Sequence, residues 1–338
     1  MRVTQQDIAK LARVSQATVS RVLAGDSRVE PDLRNRVLEA MKRKNYFADS
    51  RARSLRSKQA HLIGLVLKRE EGAIKDDPFF SRLISEITSV LIGTPYHLCI
   101  DIAHTSQNQA EVYEELLRTR RVDGLIVVEP ESSDPRMAQL QKDMFPFVVL
   151  GNPGSVQVDS VDNDNVLAAR MAALHLLDRG YRSIGCLAGP SGVQVSDDRV
   201  MGYSLAMRER GQKELVWNTA FGISAAEDAA LRLLTGPNRP QALIVQDDFM
   251  ALGVTLSARL LGLRIPDDLG LVSFNDTSLC QTVEGGLTSV NLNVPQLVSE
   301  ACRLLIQRIE LPREETSRLI VPCELKVRKS SQKPGGSV

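Results

Sequence analysis

The sequence predicts two kinds of structure in series: an all-α helix-turn-helix head, then an α/β body built on parallel sheets. Three observations predict it. Residues 4–24 read as two short helices joined by a tight turn. The charge is divided: residues 1–58 hold 14 Lys/Arg against 6 Asp/Glu, and the remainder hold 28 against 35. From His61 onward, apolar runs alternate with helical patterns, as in a parallel α/β sheet. A chain of 338 residues, 43% hydrophobic and 25% charged, has length for more than one domain and a sizeable core.

In the head, Thr4 suits the N-cap of the first helix, with Asp7 in the first turn where its charge suits the helix dipole. Ile8, Leu11 and Ala12 mark the inner face, and Ala9 is small where a second helix must approach. Val14 falls in the turn. Ser15 can cap the second helix, whose Val19, Val22 and Leu23 point inward. That leaves Gln16, Ala17, Ser20 and Arg21 facing out. Gln pairs with adenine, Arg grips guanine O6 and N7, and Ala touches a thymine methyl. A surface helix would explain the polarity but not such short helices in so basic a segment. The head is therefore expected to meet DNA.

A third helix is expected from about residue 31 to 44, with Pro31 at its first position and Leu33, Val37, Leu38 and Met41 as its apolar stripe. Residues 45–58 are basic and helix-capable but have almost no apolar face. They read as a linker that becomes helical only when docked on a partner.

In the body, residues 62–67, 98–102, 125–128 and 147–150 are strand-like, with helical stretches near 79–92, 108–119 and 135–143. The scheme then repeats: Ile63-Gly64 recurs as Ile184-Gly185, and Leu125-Ile126-Val127 as Leu243-Ile244-Val245. The repeat is short, and chance alone can produce it. Ligands of parallel sheets bind beyond the carboxyl ends of the strands.

The five cysteines, Cys99, Cys186, Cys280, Cys302 and Cys323, are scattered, with no Cys-x-x-Cys, as expected of thiols in a reducing cytoplasm. Neither a signal-peptide core nor a membrane-spanning apolar run is present, so a cytoplasmic protein is expected, nucleoid-associated when on DNA, with no membrane partner. Phosphate-loop, His-Glu-x-x-His and Gly-x-Ser-x-Gly motifs are missing. His61, His97, His104 and His175 are dispersed, and no carboxylates form a convincing acid/base pair. No catalytic residue, metal or cofactor is expected.

The chain resembles the lactose/galactose-repressor (LacI/GalR) family of bacterial transcription regulators over nearly its whole length. The resemblance rests on Asp7-Ile8-Ala9 to Leu11-Ala12, on Val14-Ser15 with residues 17–23, and on Ala52-Arg53-Ser54-Leu55. It implies that Gln16, Ala17 and Arg21 read bases, that Ser15, Thr18 and Ser20 touch phosphate or base, and that Arg28 reaches DNA from a loop. Thr4 and Ala52 are counted with this DNA-facing set. Leu55 matches a hinge leucine that wedges into the minor groove and kinks the duplex. Four positions depart from the family pattern: Arg13 where helix-turn-helix proteins often have Gly, Ala24 where the family often has Asn, and Ala48-Asp49 for Pro-Asn.

For the body the resemblance implies two similar, periplasmic-binding-protein-like lobes with an effector cleft between them. Phe79 and Phe80, in Asp77-Pro78-Phe79-Phe80, are cleft candidates, though each can equally be core. Arg199, in an Arg-x-x-Gly segment, matches the main effector-gripping arginine. Phe221 suits an aromatic that stacks on the effector, and Asp247 a ligand hydrogen-bonding position. Asn275 stands where an aspartate usually binds. Aromatic, carboxylate, amide and guanidinium groups together suit a polyol ring, so a sugar is expected. Lys68 can meet an anionic group or face solvent, which leaves phosphosugars and acidic metabolites open. Asp162-Asn163 is expected to cap the helix that follows. Residues 321–328 are expected to form the terminal strand, with no leucine-heptad tail beyond them.

The domains expected are a DNA-binding head (1–45), a hinge (46–59), a two-lobed effector-binding and dimerisation body (60–330) and a flexible tail (331–338). The function expected is a homodimeric, sequence-specific repressor on a pseudo-palindromic operator, controlled by a small-molecule effector. The runner-up is a soluble cytoplasmic solute-binding protein without a DNA role. The body permits it; the basic head speaks against it.

Overall fold

The computed structural model describes residues 3–23, 26–46, 59–69 and 77–333. Two compact units divide at residue 60. The expectations for Ala24, Ala48, Asp49, Ala52 and Leu55 lie outside the described residues.

The head has three helices, α1 (Gln5–Ala12), α2 (Gln16–Leu23) and α3 (Pro31–Arg43). Thr4 and Asp7 form a reciprocal capping box at α1: Asp7 N donates to Thr4 Oγ1 at 3.3 Å, and Thr4 N to Asp7 Oδ2 at 2.9 Å. The core joins Ile8, Ala9, Ala12, Val19, Val22, Val37 and Ala40. Leu11 and Leu38 are not part of it, at 39% and 49% exposed. With 3.6 residues per turn, Ile8, Ala9 and Ala12 already fill the inward stripe of α1, and Val37 with Ala40 fill that of α3. Three alanines in this core let short helices approach closely.

Arg13 ends α1 in the left-handed region, at φ 53° and ψ 49°. A side chain there costs about 1–2 kcal/mol. Arg36 of α3 offsets part of that cost by donating to Ala12 O at 2.7 Å and Arg13 O at 3.0 Å, two carbonyls that the helix end leaves unpaired.

The body carries two six-stranded sheets. The first contains β1 (Leu62–Lys68), β2 (His97–Ala103), β3 (Gly124–Val128), β4 (Phe147–Leu150), β5 (Ser160–Asp162) and β11 (Arg318–Ile320), in the order β11-β5-β4-β3-β1-β2. The second contains β6 (Ile184–Ala188), β7 (Val216–Asn218), β8 (Ala242–Val245), β9 (Gly270–Phe274), β10 (Thr288–Asn291) and β12 (Glu324–Lys326), in the order β12-β10-β9-β8-β6-β7. All pairings are parallel except β10 with β12. The helices are α4 (Pro78–Leu91), α5 (Ser106–Thr119), α6 (Pro135–Lys142), α7 (Asn165–Asp178), α8 (Gln194–Glu209), α9 (Ile223–Thr235), α10 (Asp248–Leu260) and α11 (Val294–Glu310).

The two sheets share one strand order, differing in the direction of the edge strand β11 or β12, and the short sequence repeat has a packing reason. Gly64 of β1 and Gly185 of β6 occupy matching places. A Cβ would lie 2.6 Å from Leu125 Cδ2 in one and 2.9 Å from Leu243 Cδ2 in the other. Ile-Gly and Leu-Ile-Val recur because a glycine must make room for the leucine of the next strand.

The chain crosses between the sheets after β5, after β10 and between β11 and β12. Asn163 ties these crossings together: its buried amide donates to Leu292 O at 3.1 Å and Val321 O at 2.8 Å. The cap of α7 is Asp164, which accepts from Leu167 N at 2.8 Å, rather than the expected Asp162-Asn163. The expected strand over 321–328 is interrupted, because residues 321–323 form the third crossing. The body also runs past 330: Ser331 is buried, with Oγ 2.8 Å from His175 Nε2 and 2.7 Å from Thr288 Oγ1. No helix among the described residues is long and apolar enough to cross a membrane.

Candidate ligand cavity and nucleic-acid interface

Between the two sheets lies a cavity of about 110 Å³. Seven of its residues directly follow a parallel strand: Arg69 after β1, Glu129 after β3, Gly151 after β4, Asn163 after β5, Gln246 after β8, Asn275 after β9 and Leu292 after β10. This is the carboxyl-end rule for parallel sheets, met in both halves. Glu129 and Asn275 hold positive φ, 48° and 99°. Conformations this sparse cost of order 1–3 kcal/mol each and persist where the surroundings impose them.

All six expected effector residues, Phe79, Phe80, Arg199, Phe221, Asp247 and Asn275, line this one cavity. Phe79 and Phe80 meet edge to face at 5.3 Å. Phe80 is buried and serves core and cavity at once. Asp77 caps α4 by accepting from Phe79 N at 2.9 Å, which fixes where both rings begin. Arg199 of α8 is only 5% exposed. Its Nε donates to Asn165 Oδ1 at 3.0 Å, one Nη donates to Gln246 O, and the guanidinium lies 4.1 Å from the Phe274 ring centre. Asp247 caps α10 by accepting from Met250 N at 2.7 Å.

Arg69, Glu129 and Gln246 escape the sequence reading, and the rule that finds them is simple: the first residue after each strand. Lys68, which the sequence singles out instead, stands one position early. The strand alternates, so Lys68 shares a face with Val66, away from this cavity, and pairs with Glu131 at 2.7 Å. Arg69 stands between two aromatic faces, 4.4 Å from Phe80 and 5.0 Å from Phe221, with its guanidinium on the Glu129 carboxylate. Asp162, expected only to cap a helix, lines the cavity.

Burial dominates the electrostatics. It pushes the carboxyls of Asp162 and Asp247 up to about 7 and brings the Arg199 guanidinium down to about 10. Both carboxyls thus titrate higher folded than unfolded, where the value is about 3.9. The folded state holds the extra protons, so stability falls as pH rises through about 7 and recovers as pH drops toward 5. Asn also caps helices well. Asp247→Asn is therefore expected to raise the melting temperature of ligand-free protein at about pH 8, with the gain shrinking by about pH 5.5. A gain that does not vary with pH in thermal unfolding would contradict this origin.

In the head, the Ser15 hydroxyl accepts from Thr18 N at 3.1 Å, as a cap should. Gln16, Ala17 and Arg21 are exposed, and Thr18 and Ser20 half-buried, so α2 presents the expected outward face. Thr4 is exposed, with its hydroxyl engaged in the capping box. Arg28 is 87% exposed and clasps Asp26 through Nε and Nη2, both at 3.0 Å, which holds the Asp26 carboxyl down at about 2.

A three-helix head with an outward polar face, and a body with a cavity of aromatic and charged groups between two sheets, are the parts of a ligand-responsive DNA-binding regulator. Residues 4–49 match the bacterial regulatory proteins of the lacI family, and residues 173–331 the periplasmic binding protein-like domain. The ribose operon repressor of Halalkalibacterium halodurans is 31% identical over 331 residues, 97% of either chain. The HTH-type transcriptional repressor CytR of Escherichia coli is 29% identical over 336 residues, 97% of this chain and 96% of that one. A solved complex of the transcriptional regulator CelR with cellobiose superposes with a TM-score of 0.75 at 27% identity, over 97% of this chain and 100% of that one. The operator-bound Lac repressor dimer shares the fold, with a TM-score of 0.86 at 24% identity over 98% and 99% of the two chains. The chain belongs to the lacI family of bacterial regulatory proteins and is a DNA-binding transcription regulator. These relatives are transcription regulators, not enzymes.

Proposed function

We propose that the protein is a cytoplasmic, homodimeric repressor that binds a pseudo-palindromic operator, and that a carbohydrate in the cavity between the sheets sets its operator affinity. It acts by binding rather than by catalysis. The observation that carries the effector half is the convergence of Phe79, Phe80 and Phe221 with Arg199, Asp247 and Asn275 on one cavity. Aromatic faces suit the C–H faces of a sugar ring, and charged and amide groups suit its hydroxyls. Relatives named for ribose and cellobiose support the same class.

On the DNA side, Gln16, Ala17 and Arg21 read bases, Thr4, Ser15, Thr18 and Ser20 touch base or backbone, and Arg28 reaches in from its loop. Ala52 and Leu55 belong to the hinge of residues 46–59. A two-fold dimer suits a palindromic site. The effector acts only by binding one lobe arrangement more tightly than the other.

The test is to select the preferred duplex from a random library, then screen metabolites, sugars first, for those that alter its binding. Failure to select any duplex overturns the reading. Arg21→Ala is expected to cost about 1–3 kcal/mol in operator binding if the guanidinium is bidentate to guanine, with relaxed preference at that base. A gel-shift titration with unchanged affinity and preference would rule that role out.

A further inference from the structure

A second cavity of about 460 Å³ adjoins the first, and Arg69, Val128, Glu129 and Phe221 line both. The inner cavity alone is smaller than the ~300–1,000 Å³ typical of ligand pockets, and the two together fall within that range. Their electrostatics differ. The inner one is lined by four carboxylates, Asp77, Glu129, Asp162 and Asp247, against two guanidiniums, Arg69 and Arg199. The outer one is lined by Lys68, Arg69 and Arg136 against Glu129 and Glu131, with Asp134 paired to Arg136 behind the wall. The outer cavity is thus balanced where the inner one is acidic.

The outer cavity also receives a helix N-terminus. Thr105 caps the 14-residue helix α5, and both Thr105 and Ser106 line the space. The first turn of α5 holds no acidic residue. Helix N-termini favour anions through their unpaired N–H groups and dipole. The Gln109 side chain, one turn further, is 6% exposed, lines the cavity and has no hydrogen-bond partner among the described residues. Its amide therefore keeps donor and acceptor capacity for a guest in the cavity. Lys68 Nζ lies 3.3 Å from Ser106 Oγ and 2.7 Å from Glu131 Oε1, which leaves its third N–H for a guest.

We infer that the outer cavity is an anion subsite, and that the effector is a polyol ring bearing a phosphate or carboxylate. The ring lies among the inner carboxylates and aromatic faces. The anionic group lies beyond the Arg69–Glu129 pair, against Lys68, Ser106, Gln109 and the start of α5. This rests on the proposed effector cavity and names the class of ligand it takes.

The test uses the full chain and three probes: inorganic phosphate, the pair ribose and ribose 5-phosphate, and the pair glucose and glucose 6-phosphate. The basic head also attracts phosphate, so the readout is the difference between wild type and body variants. At matched ionic strength, phosphate is expected to raise the wild-type melting temperature more than that of Lys68→Met or Gln109→Leu, with Lys68→Arg restoring the difference. Ser106→Ala serves if Gln109→Leu does not fold. By calorimetry, the phosphorylated member of at least one pair is expected to bind tenfold or more tighter than its neutral partner, and Lys68→Met to remove that preference. A phosphate response equal in all variants, or a neutral sugar bound as tightly as its phosphate, overturns the subsite. If neither sugar pair binds, the phosphate difference alone decides. Operator binding by the same preparations without ligand reports separately on the proposed function.

Discussion

Arg199→Met is expected to move the effector response to about 10–150-fold higher effector concentration while leaving ligand-free operator binding within about twofold of wild type. The Arg199 guanidinium is buried and fixed on both sides, by Asn165 of α7 and by the Gln246 carbonyl after β8. Among the described residues it is also the one cation facing the inner cavity without a carboxylate hydrogen-bonded to it; Arg69 is held by Glu129. Hydrogen bonds to a charged group are worth about 1.5–3 kcal/mol, so losing those to the effector costs about 10–150-fold in affinity. Met keeps an unbranched chain in the place of the Arg199 side chain, whose guanidinium covers the Phe274 ring, and so limits collapse of the site. Removing the charge also takes favourable Coulombic interaction from Asp162 and Asp247, so both carboxyls titrate still higher in the variant. Effector titration of an operator complex checks this, and a response whose midpoint is unchanged by Arg199→Met would mean that the effector binds elsewhere.

How far the sequence carries depends on whether a residue's role is local or assembled. The caps at Thr4 and Ser15 are decided within a few residues, and the sequence shows them directly, whereas the turn at Arg13 is legible through the resemblance. Phe79, Arg199, Phe221, Asp247 and Asn275 are far apart in the chain, and the resemblance, not their spacing, groups them. Arg69, Glu129 and Gln246 lie in no motif. Only the end points of three strands identify them, and an error of one residue selects Lys68, whose side chain lies on the other face. Leu11 and Leu38 mislead because hydrophobicity without angle does not tell which face a residue takes: an eight-residue helix has one inward stripe, and alanines fill it. Asn163 is beyond sequence reasoning, because its two acceptors lie 129 and 158 residues away.

The largest stability loss is expected from the smallest change, Gly202→Ala on α8. A Cβ there would lie 2.0 Å from the Val166 carbonyl oxygen of α7 and 2.9 Å from its carbon. These are backbone atoms in the first turn of a helix packed in the core, so they cannot swing aside as a side-chain tip would. Overpacking a core typically costs about 1–3 kcal/mol and occasionally more. A clash with backbone puts this one at about 3 kcal/mol or above, or roughly a 5 °C fall in melting temperature for a unit this large. The sign is a strict test, because helix propensity alone would make Ala about 1 kcal/mol better than Gly. Gly180→Ala provides the contrast. Gly180 has φ +85°, and a Cβ added there would meet nothing within 4 Å, so only the left-handed strain of about 1–2 kcal/mol applies. The effect should extend to function. Asn165, which orients Arg199, sits at the start of α7 beside Val166, so forcing the two helices apart lengthens the Asn165–Arg199 hydrogen bond. Variants that still fold should therefore lose effector affinity as well as stability. Equal losses for Gly202→Ala and Gly180→Ala in thermal unfolding would show that backbone conformation, not the close approach of α7 and α8, decides these positions.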